Sequence, residues 1–300
     1  MTSAPFLLAA MLDARLAPDP LAFLEAACRE LAQGAGPHRL AQLLALCSRH
    51  LRAGTPLAPD AHAAARARQA GFDPARWSTL DAARVALLLA FPAPAPRDTA
   101  AAFEACLRFA DHGELCALYH ALPLLPHGEH LAAHAAEGCR SNMRTVFEAV
   151  ACDSPYPVRC FDEVAWRQLV IKAVFIDAPL WRVHGLDTRL SSQLARMALD
   201  LADERRSAGR PVPPQLWLCL GVHGGERGAR ALQAELDGGG AAARTAALLA
   251  LARAGAAQRA LAWLDTRPSP HPSLAACLQD GDFTQAAFGR LSQPATGAAS

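Results

Sequence analysis

Residues 78–91 read Ser-Thr-Leu-Asp-Ala-Ala-Arg-Val-Ala-Leu-Leu-Leu-Ala-Phe, and this stretch decides the fold class. Ser78 and Asp81 have the spacing of a capping box, in which side chains satisfy the first free backbone amides of a helix. The alanines and leucines that follow have high helix propensity, and Val85 is the one β-branched residue after Asp81. The stretch therefore predicts a helix over 79–91.

The same pattern recurs along the whole chain. A second box-like spacing joins Asp111 to Glu114, and Asp19-Pro20 marks a further helix start. Hydrophobic residues make up 52% of the chain but aromatic residues only 6%, and 22 prolines and 20 glycines separate short apolar segments. We predict an all-α protein whose antiparallel helices stack as an α-α superhelix or as HEAT-like helical hairpins. Since no fixed sequence period is present, a regular repeat array is not predicted.

The length of 300 residues and the net charge of +1 limit the class of protein further. We expect one continuous helical domain with an N-terminal region at 1–96, a central region at 97–220 and a C-terminal region at 221–300. The proline-rich stretch 91–96 is either a joint between subdomains or a rigid loop. The balanced charge lacks the basic surplus that binding to a phosphate backbone requires, so nucleic acid is not an expected partner.

Cysteine usage and hydropathy indicate the compartment. The nine cysteines are scattered and form no Cys-x-x-Cys pair, which favours free thiols in a reducing cytoplasm. Residues 1–16 lack the features of a secretory signal, and no apolar run approaches the roughly 20 residues of a membrane span. We therefore expect a cytoplasmic protein without a transmembrane segment.

The centre of the chain departs from the general composition. The one lysine, Lys172, and the one asparagine, Asn142, both lie between 140 and 220. The predicted helix 162–177 is apolar on nearly all sides, which predicts a buried helix around Lys172. A buried ammonium needs a carboxylate, or its pKa falls and it becomes a candidate base. Lys172 is thus a core ion pair with Asp162, Glu137 or Asp177, a ligand contact, or a catalytic group.

The preceding predicted helix, 128–151, offers polar residues and a metal pattern. Arg140 and Asn142 lie at the edge of its apolar stripe, where they could line a polar pocket. His130, His134 and Glu137 share a face if the helix begins by 128, as metal ligands three and four residues apart do. No recognised metal motif completes the set, so solvent-facing histidines are favoured and no cofactor is expected. The glycine-rich run 221–228 lacks the lysine and hydroxyl of a phosphate-binding loop.

Between 137 and 217 the chain resembles a known family. The resemblance is carried by Glu137-Gly138, Arg140, Asn142, Val146-Phe147-Glu148-Ala149, Tyr156-Pro157, Phe161-Asp162-Glu163, Ala165-Trp166, Gln168, Lys172-Ala173, Phe175, Pro179-Leu180, Gly185-Leu186-Asp187, Arg189, Leu194-Ala195-Arg196-Met197, Glu204-Arg205, Ala208-Gly209-Arg210, Val212, Pro214 and Leu216-Trp217. This pattern resembles the EboA-domain proteins of bacterial ebo gene clusters. Arg167 stands where the family pattern has a small polar residue, and His130 and His134 are outside the pattern, which weakens the metal hypothesis.

The resemblance implies an all-helical protein with no assigned reaction. The family's gene clusters also encode a prenyltransferase-like membrane protein, a TatD-like hydrolase, a sugar-isomerase-like barrel and a dehydroquinate-synthase-like enzyme. These neighbours imply a pathway that makes, modifies or exports a secondary metabolite. Small-molecule or lipid-linked metabolites and other proteins of the same cluster are therefore the expected partners.

Three functional interpretations follow. In the first, a cytoplasmic accessory protein binds a small polar, anionic or lipid-linked intermediate in a pocket lined by Arg140, Asn142, Tyr156, Asp162, Trp166, Gln168 and Lys172. In the second, the helices form a scaffold that binds pathway enzymes. In the third, the protein is an enzyme in which Lys172 and Asp162 act as an acid–base pair. A deep polar pocket favours the first or third interpretation, and an exposed apolar patch favours the second.

Overall fold

Helices make up the regular structure of residues 3–292, the part of the chain that the computed structural model describes, and this part contains no β-strand. The predicted all-α class is confirmed. The chain divides into two compact units, with the boundary between Asp162 and Glu163. Superhelical stacking and the division at 96 and 220 stay predictions. Every helix of residues 3–292 is too short or too polar to traverse a lipid bilayer.

The first unit is built from helices joined by short loops. Its α-helices are α1 Ala4–Asp13, α2 Pro18–Ala32, α3 Pro37–His50, α4 Ala61–Gln69, α5 Thr79–Ala90, α6 Pro96–Leu107, α7 His112–Ala121, α8 Ala132–Arg140, α9 Arg144–Ala151 and α10 Tyr156–Cys160. A 3₁₀ helix, Gly128–Leu131, precedes α8.

Local capping explains why several of these helices begin where they do. The Ser78 hydroxyl accepts from the Asp81 amide at 3.1 Å, and the Asp81 carboxylate accepts from the Ser78 amide at 2.9 Å. Asp111 and Glu114 form the same reciprocal box at the start of α7. Both predicted boxes are confirmed. The start of α2 differs from the predicted start at Asp19-Pro20. Pro18 occupies the first position of the helix, so Asp19 lies within the first turn.

Helix α5 lies at the centre of the first unit and packs against α1, α2, α3 and α7. Its buried face includes Leu80, Val85, Leu87 and Leu88, and each is at most 6% exposed. A helix that contacts neighbours on several sides must be apolar around most of its circumference. The stretch that predicted the fold class is therefore also the core of this unit.

The predicted helix 128–151 is wrong in its continuity, because it is broken at residues 141–143. The Ser141 hydroxyl accepts a hydrogen bond from the Met143 amide at 3.1 Å. Serine side chains that bond to nearby backbone groups compete with helical hydrogen bonds. Arg140 therefore ends α8, and Asn142 lies in the break.

The packing around Gly138 explains why this position of the family-like pattern is a glycine. A Cβ atom at this position would lie 2.5 Å from Cζ of Tyr119, which is buried on α7. Glycine is unfavourable inside a helix by about 1 kcal/mol relative to alanine. Its presence within α8 is explained by the close approach of the Tyr119 ring.

We expect Gly138→Ala to lower the free energy of unfolding by about 1–3 kcal/mol, because overpacking against Tyr119 outweighs the gain in helix propensity. Urea unfolding followed by circular dichroism measures the change. The matched control is Gly238→Ala, at the end of α13 (Gly225–Gly238), where no heavy atom lies within 4 Å of an added Cβ. A Gly138→Ala variant as stable as the control would contradict the packing argument.

The second unit begins at Glu163 and is also helical. Its α-helices are α11 Glu163–Phe175, α12 Ser192–Ser207, α13 Gly225–Gly238, α14 Ala241–Leu251, α15 Ala257–Asp265, α16 Leu274–Gln279 and α17 Gln285–Ser292. Helix α14 is central here and packs against α13, α15, α17 and the 3₁₀ segment Pro214–Cys219.

Helix α11 is buried on one face rather than all round. Its buried residues follow helical spacing and are Trp166, Leu169, Val170, Ala173 and Val174. Val164 and Phe175 remain 56% and 64% exposed. The predicted burial of the whole helix is therefore wrong, because apolar composition alone does not reveal which face is covered by packing partners.

Candidate functional site

The predicted ligand-binding residues of the first unit include three exposed side chains. Arg140 ends α8 and pairs with Glu137 at 2.5 Å, with both side chains largely in solvent. Asn142 is exposed in the break before α9, and Asp162 is exposed after α10. These residues offer polar groups at the surface.

Tyr156 has a different environment. It is 2% exposed, and its hydroxyl donates a hydrogen bond to the Gly128 carbonyl at 2.7 Å. Burial is the main cause that raises the pKa of this hydroxyl, with the nearby Cys160 and Glu129 adding to it. Tyr156 therefore fastens the 3₁₀ helix at 128–131 to α10.

The second unit carries the other three predicted ligand-binding residues, all on α11. Trp166 is fully buried, its Nε1 donates to the Arg189 carbonyl at 3.3 Å, and the Arg189 guanidinium lies 4.7 Å from the centre of its ring. Gln168 is exposed and Lys172 is half-buried. Helical geometry places Gln168 and Lys172 together, one turn apart, and directs Trp166 to a different side.

The histidine pattern does not form a metal set. Because α8 begins at Ala132, His130 lies in the preceding 3₁₀ helix and pairs with Glu129 at 3.7 Å. His134 packs edge-on against Phe103. Within residues 3–292, no three side chains of the His, Cys, Asp and Glu types are grouped to hold a metal ion.

A cleft of about 510 Å³ opens in the second unit. Its walls come from four separate stretches of chain, around residues 187–190, 221–223, 253 and 281–284. We call it the Arg253 cleft; its lining consists of Asp187, Thr188, Leu190, Gly221, Val222, His223, Arg253, Gly281, Phe283 and Thr284. Ligand sites in proteins commonly have volumes of roughly 300–1,000 Å³. The cleft therefore has the size of a site for a small metabolite.

Arg253 supplies a buried positive charge to this cleft, with its side chain 7% exposed. It lies in the segment Ala252–Ala256 between α14 and α15, where the helical path is kinked at Gly255, which has φ 86°. The Nη1 atom of Arg253 lies 2.6 Å from the Phe283 carbonyl oxygen and 2.7 Å from Asp187 Oδ1. These contacts hold the guanidinium at the cleft wall.

Asp187 links Arg253 to the start of α17. Its two carboxylate oxygens accept from the backbone N–H of Gln285 at 3.0 and 3.2 Å. A carboxylate at this position satisfies an otherwise free amide and interacts favourably with the helix dipole. The Gln285 side chain in turn donates to the Trp181 and Val183 carbonyls at 2.9 and 2.8 Å. Arg253, Asp187 and Gln285 thus fix one side of the cleft.

The sequence was compared with models of known families. The model described as metabolite traffic protein EboA matches residues 5–221. The chain belongs to the EboA family. Among curated proteins and solved structures, none matches this EboA-family chain.

The family match divides the Arg253 cleft. Asp187, Thr188, Leu190 and Gly221 lie within the matched region of this EboA chain. Arg253 and the 281–284 wall lie beyond it. The cleft therefore combines family-matched residues with residues from the C-terminal part of the chain.

Sequence reasoning missed Arg253, although a signal for it was present in this EboA chain. Arg253 directly follows seven apolar residues, 246–252, and precedes Gly255. A single cation after such a run is a candidate buried charge that requires an anionic or carbonyl partner. Asp187 belongs to the family-like pattern and 221–228 is a glycine-rich run, but nothing in their spacing connects either with residue 253.

Proposed function

We propose that this EboA-family protein is an accessory component of a metabolite pathway that binds a small metabolite in the Arg253 cleft. The observation that carries the proposal is the buried guanidinium of Arg253 in the wall of a metabolite-sized cleft. The protein would hold its ligand by non-covalent contacts and pass it to other proteins of the same gene cluster in the cytoplasm. The family description, metabolite traffic protein, supports this role.

The residue set predicted from the sequence defines a competing location for the ligand. Lys172 and Gln168 on α11 define that location, and Arg140 and Asn142 in the first unit stay separate candidates. The Arg253 cleft is preferred because its lining residues come from one compact unit and form a cleft of about 510 Å³. A single set of variants separates the two locations.

The test uses cells that lack the natural gene and express either Thr188→Trp, which fills the cleft, or Lys172→Met. Thr188 is exposed, so the larger side chain has room to fold outward from the core into the cleft. Mass spectrometry measures the pathway metabolite inside and outside the cells, and immunoblotting measures the amount of each variant. We expect Thr188→Trp to abolish metabolite traffic and Lys172→Met to retain it, at equal protein levels.

The reverse result would contradict the proposal. If Lys172→Met abolishes traffic while Thr188→Trp retains it, and both variants accumulate normally, then the ligand is held at Lys172 and Gln168 on α11. Purified wild type and Thr188→Trp provide a second readout, since only the wild type is expected to carry a small molecule detectable by native mass spectrometry.

A second candidate function is a scaffold for pathway enzymes, and the exposed side of α11 favours it. Val164 and Phe175 lie on the same side of this helix, with Ile171 between them. Exposed apolar side chains grouped in this way are a feature of interaction sites. A Val164→Ser/Phe175→Ser variant that keeps its bound metabolite but loses traffic would favour the scaffold.

A further inference from the structure

We infer that the Arg253 cleft selects an amphipathic anion, that is, a carboxylate or phosphate group attached to an apolar body. The inference rests on the proposed function and names the class of ligand. Three features of the cleft carry it: an unsatisfied donor on a buried cation, polar neighbours whose own hydrogen-bonding groups are occupied, and apolar walls beside them.

The unsatisfied donor belongs to Arg253. A guanidinium has five N–H groups. Arg253 uses Nη1 for Phe283 and Asp187, and Nη2 makes a long contact of 3.4 Å with the Leu218 carbonyl. Its Nε is buried and has no hydrogen-bond partner among residues 3–292. The Nε atom has almost no accessible surface, but Nη2 carries two N–H groups and makes only the one long contact, so it keeps a donor for an acceptor oxygen that a ligand brings.

The neighbouring polar groups do not meet this demand. Asp187 already accepts from Arg253 and from the Gln285 amide, so its carboxylate has less need of a ligand cation. The Thr188 hydroxyl donates to the Gly185 carbonyl at 2.9 Å. The Thr284 hydroxyl donates to Asp282 at 2.7 Å. With both hydroxyl protons in use, Arg253 and His223 are the lining side chains that can donate to a ligand.

The expected negative charge of the ligand follows from the positive charge of Arg253, the strongest donor in the cleft. Carboxylates and phosphates bind the planar guanidinium through paired hydrogen bonds, which are stronger than bonds between neutral groups. An anionic oxygen would add a second negative partner to Arg253 beside Asp187.

Apolar residues form the rest of the cleft wall. Leu190 and Phe283 are partly buried, and Val222 is 70% exposed at the cleft. A small, fully hydrated anion would leave the Val222 side chain exposed to water. The cleft is suited to a ligand whose apolar body covers these side chains while its anionic group reaches Arg253.

The test measures binding of three probes to the full-length protein by calorimetry: naphthylacetate, naphthaleneethanol and acetate. The first combines an anion with an apolar body, and the others lack one feature each. We expect naphthylacetate to bind at least about tenfold more tightly than either of the others, since a hydrogen bond to a charged group contributes this much. Naphthyl phosphate then shows whether carboxylate or phosphate is the preferred group.

Two variants test whether residues of the cleft cause the preference for an anionic group and the preference for an apolar body. Arg253→Gln is expected to bind naphthylacetate no better than naphthaleneethanol. Val222→Ser is expected to weaken both naphthyl probes and to leave acetate unchanged. The matched control is Phe109→Ser, which replaces an exposed apolar side chain outside the cleft and is expected to leave the binding of all three probes unchanged. If Arg253→Gln fails to fold, the probe preference of the wild type and the Val222→Ser result still decide.

Several outcomes would overturn the inference. Equal binding of naphthaleneethanol and naphthylacetate would exclude the anionic requirement, and equal binding of acetate would exclude the apolar one. If none of the probes binds, the ligand class is wrong. The proposed function fails separately, when Thr188→Trp leaves metabolite traffic intact in cells.

Discussion

Replacing Arg84 by methionine is expected to lower the free energy of unfolding by about 3–5 kcal/mol, the usual effect of breaking a buried ion pair. Arg84 lies on α5 and is 2% exposed. Its Nη2 is 3.4 Å from Glu114 Oε1, and its Nε donates to the Leu44 carbonyl at 3.2 Å. The side chain thus joins α3, α5 and α7, and its loss would leave the Glu114 carboxylate buried without this partner.

Two further variants make the Arg84 result specific. Arg230→Met removes an exposed pair with Glu226, where both side chains are more than 70% exposed, and no measurable change is expected. Arg84→Met/Glu114→Met removes both buried charges and is expected to recover much of the stability, because neither ion is left uncompensated. Equal unfolding midpoints for Arg84→Met and Arg230→Met would show that the buried pair contributes nothing.

The sequence predicted those parts of the fold that depend on neighbours along the chain. Capping boxes at Ser78 and Asp111 were predictable because each involves residues three positions apart. The all-α class followed from helix propensities summed over long alanine- and leucine-rich segments. The break at Ser141 was not predicted, because a single serine is compatible with a helix unless its hydroxyl bonds to the backbone, as it does here at 3.1 Å.

The candidate site depended on contacts between distant residues and was mostly missed. Arg253 and Asp187 are 66 positions apart in the sequence, and their 2.7 Å contact arises from the packing around α14 and α17. Rare residue types directed attention to Lys172 and Asn142 instead. Rarity within a composition identifies unusual positions, but it does not show which of them share a cavity.

Raising the pH from 8 to 10 is expected to destabilise the first unit strongly, because its buried thiols resist ionisation. Burial raises the pKa of Cys47 and Cys106 to about 12, and that of Cys28 and Cys116 to about 11, from an ordinary value of 9.0. Arg84 acts in the opposite direction on Cys47 and Cys116, but its effect is smaller than that of burial.

The direction of the pH effect follows from proton binding. Between pH 9 and 11 the unfolded chain has lost these thiol protons while the folded chain keeps them, so ionisation favours unfolding. The stabilisation is complete below pH 9 and falls as the pH rises toward 11 or 12. Each thiol contributes at most about 1.4 kcal/mol per pH unit in this window, and the half-buried Cys28 contributes less, so the four thiols together give a loss of several kcal/mol by pH 10.

Urea unfolding in the presence of a reductant, at pH 8, 9 and 10, measures this dependence. Cys47→Ala provides the internal control: whatever its stability at pH 8, its free energy of unfolding should fall less steeply above pH 9, by about one thiol's share. A wild-type stability that stays level from pH 9 to 10 would mean that these thiols ionise equally in the folded and unfolded chains. Such a result would place water next to the thiols and would contradict the burial of Cys47, Cys106 and Cys116.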